Sequence, residues 1–177
     1  MKRSVLVALM LLTGCVPKRT APPPPIPTPV PVAPAPAPVA PPPLAWDQRE
    51  RTDGQWSYGR IGNISRAAFL ARTSDGAMSE EAVVACDLSA RLVRLAVPRR
   101  AAQLTVRTTS TERVLPLASL TLGEDQYAAA SLAVTDPLLD AIIFSRGKFL
   151  LAPAGQPDLV LPPWPEIARV VEDCRAN

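Results

Sequence analysis

The sequence predicts a mainly β domain of the α+β class, a small antiparallel β-sandwich or barrel that carries two short helices. Nine short runs rich in apolar and β-branched residues recur in the C-terminal part of the chain, with polar turns between them. Some of these runs alternate between apolar and polar residues, as strands with one buried face do. Two segments with helical periodicity interrupt the runs, and the second ends the chain.

The predicted strands follow one another at short intervals, which favours antiparallel neighbours joined by tight turns. They cover residues 55–58, 67–72, 82–87, 92–97, 104–108, 113–117, 127–134, 149–152 and 159–161. Val93, Leu95 and Val97 fall on one face of a strand, because side chains alternate across a sheet. Leu104 and Val106 do the same in the next predicted strand.

The first predicted helix has a start signal and a stop signal. Asp136 is a typical N-cap residue, and Pro137 fits the first helical position because its missing N–H is unpaired there anyway. Arg146 and Gly147 then provide a cation and a C′ glycine at the end. The apolar stripe between these signals comprises Leu139, Ile142 and Ile143.

The second predicted helix covers residues 163–175. Its apolar residues are spaced as one buried face, at Ile167, Val170, Val171 and Cys174. The opposite, mostly solvated side comprises Glu166, Arg169, Glu172 and Asp173.

The N-terminus has the pattern of an export signal. A cationic start, Met1-Lys2-Arg3, precedes an apolar run over residues 4–12 that is too short to span a bilayer. The four residues Leu12-Thr13-Gly14-Cys15 resemble the lipobox of bacterial lipoproteins. That resemblance implies removal of the signal peptide, residues 1–14, attachment of diacylglycerol to the Cys15 thiol, and acylation of the new amine, for example with palmitate. A chance cysteine in an ordinary secretory signal is the alternative.

The resemblance also implies a location. In that family an aspartate after the cysteine favours retention at the inner membrane, and this chain has Val16 instead. We therefore expect a protein of the cell envelope that is anchored in the outer membrane and faces the periplasm.

Residues 15–44 are predicted to form a lipidated stalk, followed by one globular domain over residues 45–177. Fourteen of the 28 residues from 17 to 44 are proline, which removes backbone donors and disfavours both helix and sheet. The run Pro22-Pro23-Pro24-Pro25 leaves open a second interpretation, as a ligand for a proline-binding domain.

Cys86 and Cys174 make an even pair in a domain expected to lie in an oxidising compartment, which favours a disulfide bond. The bond would tie a strand in the middle of the domain to the C-terminal helix. Two separate buried thiols are the alternative.

The charge of the domain argues against a nucleic-acid partner. The whole chain carries a net charge of +3, but four of its 19 basic residues precede residue 45, whereas all 16 acidic residues follow it. The domain is therefore close to neutral, and the electrostatic basis for phosphate binding is missing.

The motifs that signal catalysis or cofactor binding are missing from the sequence. The chain has no histidine, which excludes Ser-His-Asp and Cys-His catalysis and histidine-containing zinc sites. No phosphate-binding loop, dinucleotide fingerprint or calcium loop occurs, so we expect neither a cofactor nor a metal. Four carboxylate pairs remain, and we interpret them as solvated turns or helix caps: Glu80-Glu81, Glu124-Asp125, Asp136 with Asp140, and Glu172-Asp173.

The start of the domain contains a candidate binding surface. Trp46, Trp56 and Tyr58 occur near Arg60 and two further arginines, and aromatic residues with arginines can stack on sugars or anchor a protein interface. The simpler interpretation is that Trp56 packs into the core and that Trp46 fixes the end of the stalk.

The last 90 or so residues resemble uncharacterised envelope lipoproteins of proteobacteria and, more distantly, small periplasmic domains of the invasion-associated locus B type. The resemblance rests on Asp136-Pro137-Leu138-Leu139, on Phe144-Ser145-Arg146-Gly147 and on the final helix with Cys174. It implies location and fold, and it supplies no catalytic residues.

The sequence therefore predicts a lipid-anchored envelope protein whose domain binds or scaffolds an envelope protein or a cell-wall component without catalysis. Two alternatives stay open. One is an inhibitor of a cell-wall lytic enzyme, and the other is a carboxylate-dependent enzyme that acts on cell-wall glycan.

Overall fold

A computed structural model describes Thr20 and residues 44–98, 100–122 and 124–176. The chain divides into two units, Met1–Pro41 and Pro42–Asn177, and the second contains all the elements given below. The predicted signal peptide, Cys15 and the predicted stalk up to residue 43 lie outside the described residues, apart from Thr20.

Two antiparallel sheets confirm the predicted fold class. The larger sheet has the strand order β1-β2-β3-β4-β8-β7, and the smaller has the order β10-β9-β5-β6. The strands of the larger sheet are β1 (Gly54–Ile61), β2 (Ile64–Arg72), β3 (Met78–Asp87), β4 (Leu92–Val97), β7 (Ala118–Leu122) and β8 (Asp125–Ala133). Those of the smaller sheet are β5 (Gln103–Arg107), β6 (Glu112–Pro116), β9 (Phe149–Pro153) and β10 (Leu159–Leu161).

Strand β7 was not predicted. It follows β6 after a single residue, Leu117, so the chain passes directly from the smaller sheet to the larger one. Its sequence, ASLTL, lies at the edge of the larger sheet, where each of its side chains is exposed or only half-buried. An edge strand without a fully buried face shows little apolar alternation, which explains why the pattern did not reveal it.

Both predicted helices are present. Helix α1 (Pro137–Ile143) begins after Asp136, whose side chain accepts a hydrogen bond from the Leu138 N–H, and it ends earlier than its Arg146-Gly147 stop signal. Helix α2 (Pro165–Ala176) buries the predicted face, which comprises Ile167, Val170, Val171 and Cys174.

One hydrophobic core joins both sheets and both helices. Its largest fully buried side chains come from the inward faces of the strands and from the helices, and they include Phe69, Leu95, Leu104, Phe149, Leu151 and Ile167. The predicted alternation of β4 and β5 is present, because Val93, Leu95, Leu104 and Val106 all point into this core.

A disulfide bond between Cys86 and Cys174 confirms the predicted pairing. It joins β3 to α2 with a Cα–Cα distance of 5.7 Å, and neither cysteine is exposed to solvent. The C-terminal helix is thereby tied covalently to the middle of the larger sheet.

Polar contacts fix the segment where the chain enters the domain. Trp46–Gln48 form a short 3₁₀ helix, and the Lys148 ammonium donates to the carbonyl oxygens of Asp47 (2.9 Å) and Arg49 (2.7 Å). The Arg49 guanidinium pairs with the Asp158 carboxylate at 2.6 Å. These contacts come from the β9–β10 side of the molecule, so the smaller sheet holds the entry segment.

Candidate binding surface

The four residues of the predicted binding surface do not form one exposed patch. Trp56 is 5% exposed, and its indole N–H donates to the Pro162 carbonyl oxygen at 2.9 Å. Its ring packs edge-on against the Phe69 ring, with 5.3 Å between the two ring centroids. The interpretation of Trp56 as a core residue is therefore confirmed. Trp46 is half-buried in the 3₁₀ helix, and Arg60 is exposed near the end of β1.

Tyr58 belongs to a polar cluster that holds the end of α2 against β1 and β2. The Tyr58 hydroxyl and the Ser65 hydroxyl both donate to Oδ2 of Asp173, at 2.6 and 2.5 Å. The Arg169 guanidinium lies over the Tyr58 ring, 4.3 Å from its centroid, which is the geometry of a cation–π contact. We call these four residues the Asp173 cluster. Ser65 is fully buried and lies opposite Cys86 in the strand register, so the cluster adjoins the disulfide.

Asp173 is less exposed than predicted, because its helical spacing placed it on the mostly solvated side of α2. It is half-buried and accepts two hydroxyl hydrogen bonds. The pKa of Asp173 is lowered from its ordinary value. The largest cause is the hydrogen bond from Ser65, the next is the hydrogen bond from Tyr58, and the charges of Arg60 and Arg169 contribute least. Helical periodicity alone gives no sign of this role, because the partners come from strands about a hundred residues earlier.

A second polar cluster covers the outer face of the larger sheet. The Glu80 carboxylate accepts from the Arg66 guanidinium at 2.7 Å and from the Tyr127 hydroxyl at 2.6 Å. Burial, and then the hydrogen bond to Glu80, raise the pKa of Tyr127 to about 12. A row of small residues lies on the same face of neighbouring strands and is buried, at Ala68, Val83, Ala96 and Ala129.

The prediction that Glu80 and Glu81 lie in a polar turn is wrong, because both belong to β3. The register shifts there, so that Phe69 pairs with Ala82 and Leu70 pairs with Glu80, which leaves Glu81 as the additional residue of a bulge. A polar strand start followed by a bulge has no regular alternation, and this is why the sequence suggested a turn.

The predicted cap at Asp136 is confirmed, and it has a further partner. Its carboxylate accepts from the Leu138 N–H at 2.9 Å and from both terminal nitrogens of Arg113, at 2.9 and 2.7 Å. The hydrogen bond from Arg113 is the main cause that lowers the pKa of Asp136. This residue therefore links β6 to the start of α1.

The aspartates whose pKa is shifted in the described residues all shift in one direction. The pKa is lowered at Asp75 by a hydrogen bond from Thr73, at Asp87 by one from Ser89, and likewise at Asp136 and Asp173. A glycosidase acid needs the opposite, a carboxyl group whose pKa is raised so that it holds a proton near neutral pH. The four aspartates are therefore arranged as hydrogen-bond acceptors.

Open concavities line the surface of the domain. One, of about 640 Å³, lies between the β4–β5 connection and the β7–β8 hairpin. Another, of about 470 Å³, lies where β6 and the second half of β8 diverge. Within the described part of the chain no group of acidic or cysteine side chains is arranged to hold a metal ion, and no helix is long and apolar enough to cross a membrane.

These features define the chain as an antiparallel two-sheet protein with a C-terminal helix that is fixed by a buried disulfide and by the Asp173 cluster. Comparison with protein families, with curated proteins and with solved structures found no match for it.

Proposed function

We propose that this chain is a lipid-anchored protein of a bacterial cell envelope and that its domain binds or scaffolds an envelope partner without catalysis. The pairing of the cysteines is the observation that supports the proposal. The chain has three cysteines, and Cys86 and Cys174 are joined to each other, so the third is Cys15 in its lipobox-like setting. A buried disulfide also suits the oxidising periplasm to which the export signal would direct the chain.

The anchor and the stalk together set the range of the domain. Several acyl chains give stable attachment, whereas a single chain gives only marginal and reversible binding. A polyproline segment with the 28 residues from 17 to 44 would reach on the order of 85 Å from the membrane. The domain would therefore act on partners within the periplasm or near the cell wall, with Val16 favouring the outer membrane.

The chemistry of the carboxylates supports binding over the alternative of an enzyme that acts on glycan. Glu80 is engaged by Arg66 and Tyr127, and Asp136 caps a helix while it pairs with Arg113. Lowered pKa values favour charged acceptors over proton donors. The full sequence also contains no histidine that could act as an acid or a base.

One observation favours the inhibitor of a lytic enzyme as a second candidate. The β5–β6 turn, residues 109–111, is exposed, and hydrogen bonds fix its backbone. The Thr108 hydroxyl oxygen accepts from the N–H groups of Ser110 (3.2 Å) and Thr111 (3.0 Å), and the Thr109 N–H donates to the Ser145 hydroxyl at 3.1 Å. A preorganised polar loop loses little entropy when it enters an enzyme cleft.

In-cell crosslinking followed by capture of the chain from envelope fractions tests the proposal. Wild type should capture a discrete partner, and Cys15→Ser, which cannot be lipidated, should lose it. Thr13→Ser is the matched control, because it keeps a small residue at the same place and should retain the partner. Capture of nothing, or of cell-wall fragments alone, would contradict a protein partner and favour glycan binding or the glycan enzyme.

A captured lytic enzyme would be the result that the inhibitor candidate expects. Purified wild-type chain should then slow that enzyme's digestion of cell walls, and Ser110→Arg, in the exposed turn, should reduce the inhibition. Equal inhibition by both forms would contradict a role for the turn.

A further inference from the structure

The concavity of about 640 Å³ at the β7 edge of the larger sheet has the size of a small-ligand site. The β4–β5 connection forms one wall with Ala101 and Ala102, and β7 and β8 form the other with Ser119 and Ala128. The Leu117 N–H donates to the Ala102 carbonyl oxygen at 2.9 Å, which fixes the connection to the start of β7.

Arg100 supplies the charge of this pocket. It is exposed, it is the one charged residue among the described residues that line the pocket, and it makes no hydrogen bond or ion pair with the described residues. Six other described arginines are each engaged by a carboxylate within 4 Å, namely Arg49, Arg66, Arg94, Arg107, Arg113 and Arg175. Arg100 instead lies in a pocket whose described lining has no acidic residue, and such a guanidinium fits an anionic ligand group.

The remaining polar groups suit a peptide. The exposed Ser119 and Gln126 side chains line the same pocket, and the Gln126 amide nitrogen donates to Thr121 at 2.9 Å, which leaves the amide oxygen to accept. Among the described strands β7 pairs with β8 alone, so its outer edge has backbone N–H and C=O groups that an extended peptide can pair with.

We infer that this pocket binds the C-terminal end of a short extended peptide. Arg100 pairs with the terminal carboxylate, and the edge of β7 pairs with the peptide backbone. The inference deepens the proposed binding function and rests on it, because it names the chemical class of the partner.

Amide chemical shifts of the purified full-length chain test the inference, with N-acetyl-Ala-Ala as the probe. We expect saturable shifts in residues 100–102, 117–119 and 126–128. The amide-capped peptide, N-acetyl-Ala-Ala-NH₂, should bind at least about tenfold more weakly, because the charge-assisted pair with Arg100 is lost. Arg100→Gln should weaken binding of the free acid by a similar factor.

Arg146→Gln is the matched control, since Arg146 is an exposed arginine outside the pocket, and it should leave binding unchanged. The inference would be overturned if the acid and the amide bound equally, or if Arg100→Gln left binding unchanged. It would also be overturned if no binding occurred at millimolar concentration, or if inorganic phosphate gave equal shifts. This assay needs neither the anchor nor a cell. If the chain captures a partner in cells and yet fails this assay, the peptide pocket is refuted and the proposed binding function is not.

Discussion

Single side chains in this domain hold together segments that are far apart in sequence. Asp136 joins β6 to the start of α1 through Arg113, and Asp173 joins the end of α2 to β1 and β2 through Tyr58 and Ser65. Lys148 fixes the entry segment through two carbonyl oxygens. The sequence shows that these side chains are charged, and it predicted Asp136 as a helix cap. The partners could not be predicted, because no local pattern encodes contacts between residues that are 23 to 115 positions apart.

Removal of the Asp136 side chain should destabilise the domain. Asp136→Ala loses an N-cap and leaves Arg113 without its partner, so we expect a loss of about 1–2 kcal/mol in the free energy of unfolding. Asp140→Ala is the control in the same helix, since the Asp140–Arg175 pair is largely exposed and should cost less than about 0.5 kcal/mol. Urea unfolding measures both, and equal losses would contradict the role assigned to Asp136.

The Asp173 cluster should make stability depend on pH. The pKa of Asp173 is lower in the folded chain than its ordinary value of 3.8, so its charge stabilises the fold above that value. The contribution is lost as the pH falls through the lowered pKa. Asp173→Asn keeps an acceptor oxygen without the charge.

The wild type should therefore be more stable than Asp173→Asn at about pH 7, and the difference should vanish by about pH 2. Unfolding by urea at a series of pH values measures this difference. A difference that stays constant over the whole range would show that charge at Asp173 does not stabilise the fold.

At the scale of elements, regular periodicity decided what could be predicted. Strands β4 and β10 and the buried face of α2 have uninterrupted patterns, and the structure has them where the sequence placed them. Strand β7 and the start of β3 were missed because an edge position and a bulge remove the alternation. The pairing of Cys86 with Cys174 was predictable from their number and expected compartment alone.

The disulfide should dominate the attachment of α2. A bridge between residues 88 apart contributes roughly 4.5 kcal/mol in the chain-entropy description. That is a large part of the 5–15 kcal/mol typical of a whole domain. The double variant Cys86→Ala/Cys174→Ala, and the reduced wild type, should be digested by protease much faster than the oxidised wild type.

Cys15→Ser is the control for that experiment, because it removes a cysteine and keeps the bridge, and its domain should resist protease as the wild-type domain does. Protease resistance that is the same with and without reductant would contradict a stabilising bridge.

At the scale of the whole molecule, the composition of the chain indicated two parts more clearly than any motif indicated function. Half of the residues from 17 to 44 are proline, whereas residues 45–177 have the composition of a folded domain. The sequence could not reveal the pocket beside Arg100, since its walls come from a connection and from a hairpin about 20 residues later.

The proline-rich segment should stay separate from the domain. Its remaining amides should exchange with solvent as fast as those of an unfolded peptide, because proline prevents regular backbone hydrogen bonding there. Hydrogen exchange of the full chain measures this, with the central amides of β2 as the protected internal reference. Protection across residues 17–44 would contradict a free stalk.

The mass of the mature chain, purified from the membranes of a Gram-negative host, tests the lipid anchor most directly. We expect a chain that begins at Cys15 and is heavier than its peptide mass by a diacylglyceryl group and an amide-linked fatty acid. In the same host Cys15→Ser should carry neither group. An unmodified Cys15, or a chain cleaved elsewhere, would contradict the central claim that this domain is held in the envelope by lipid.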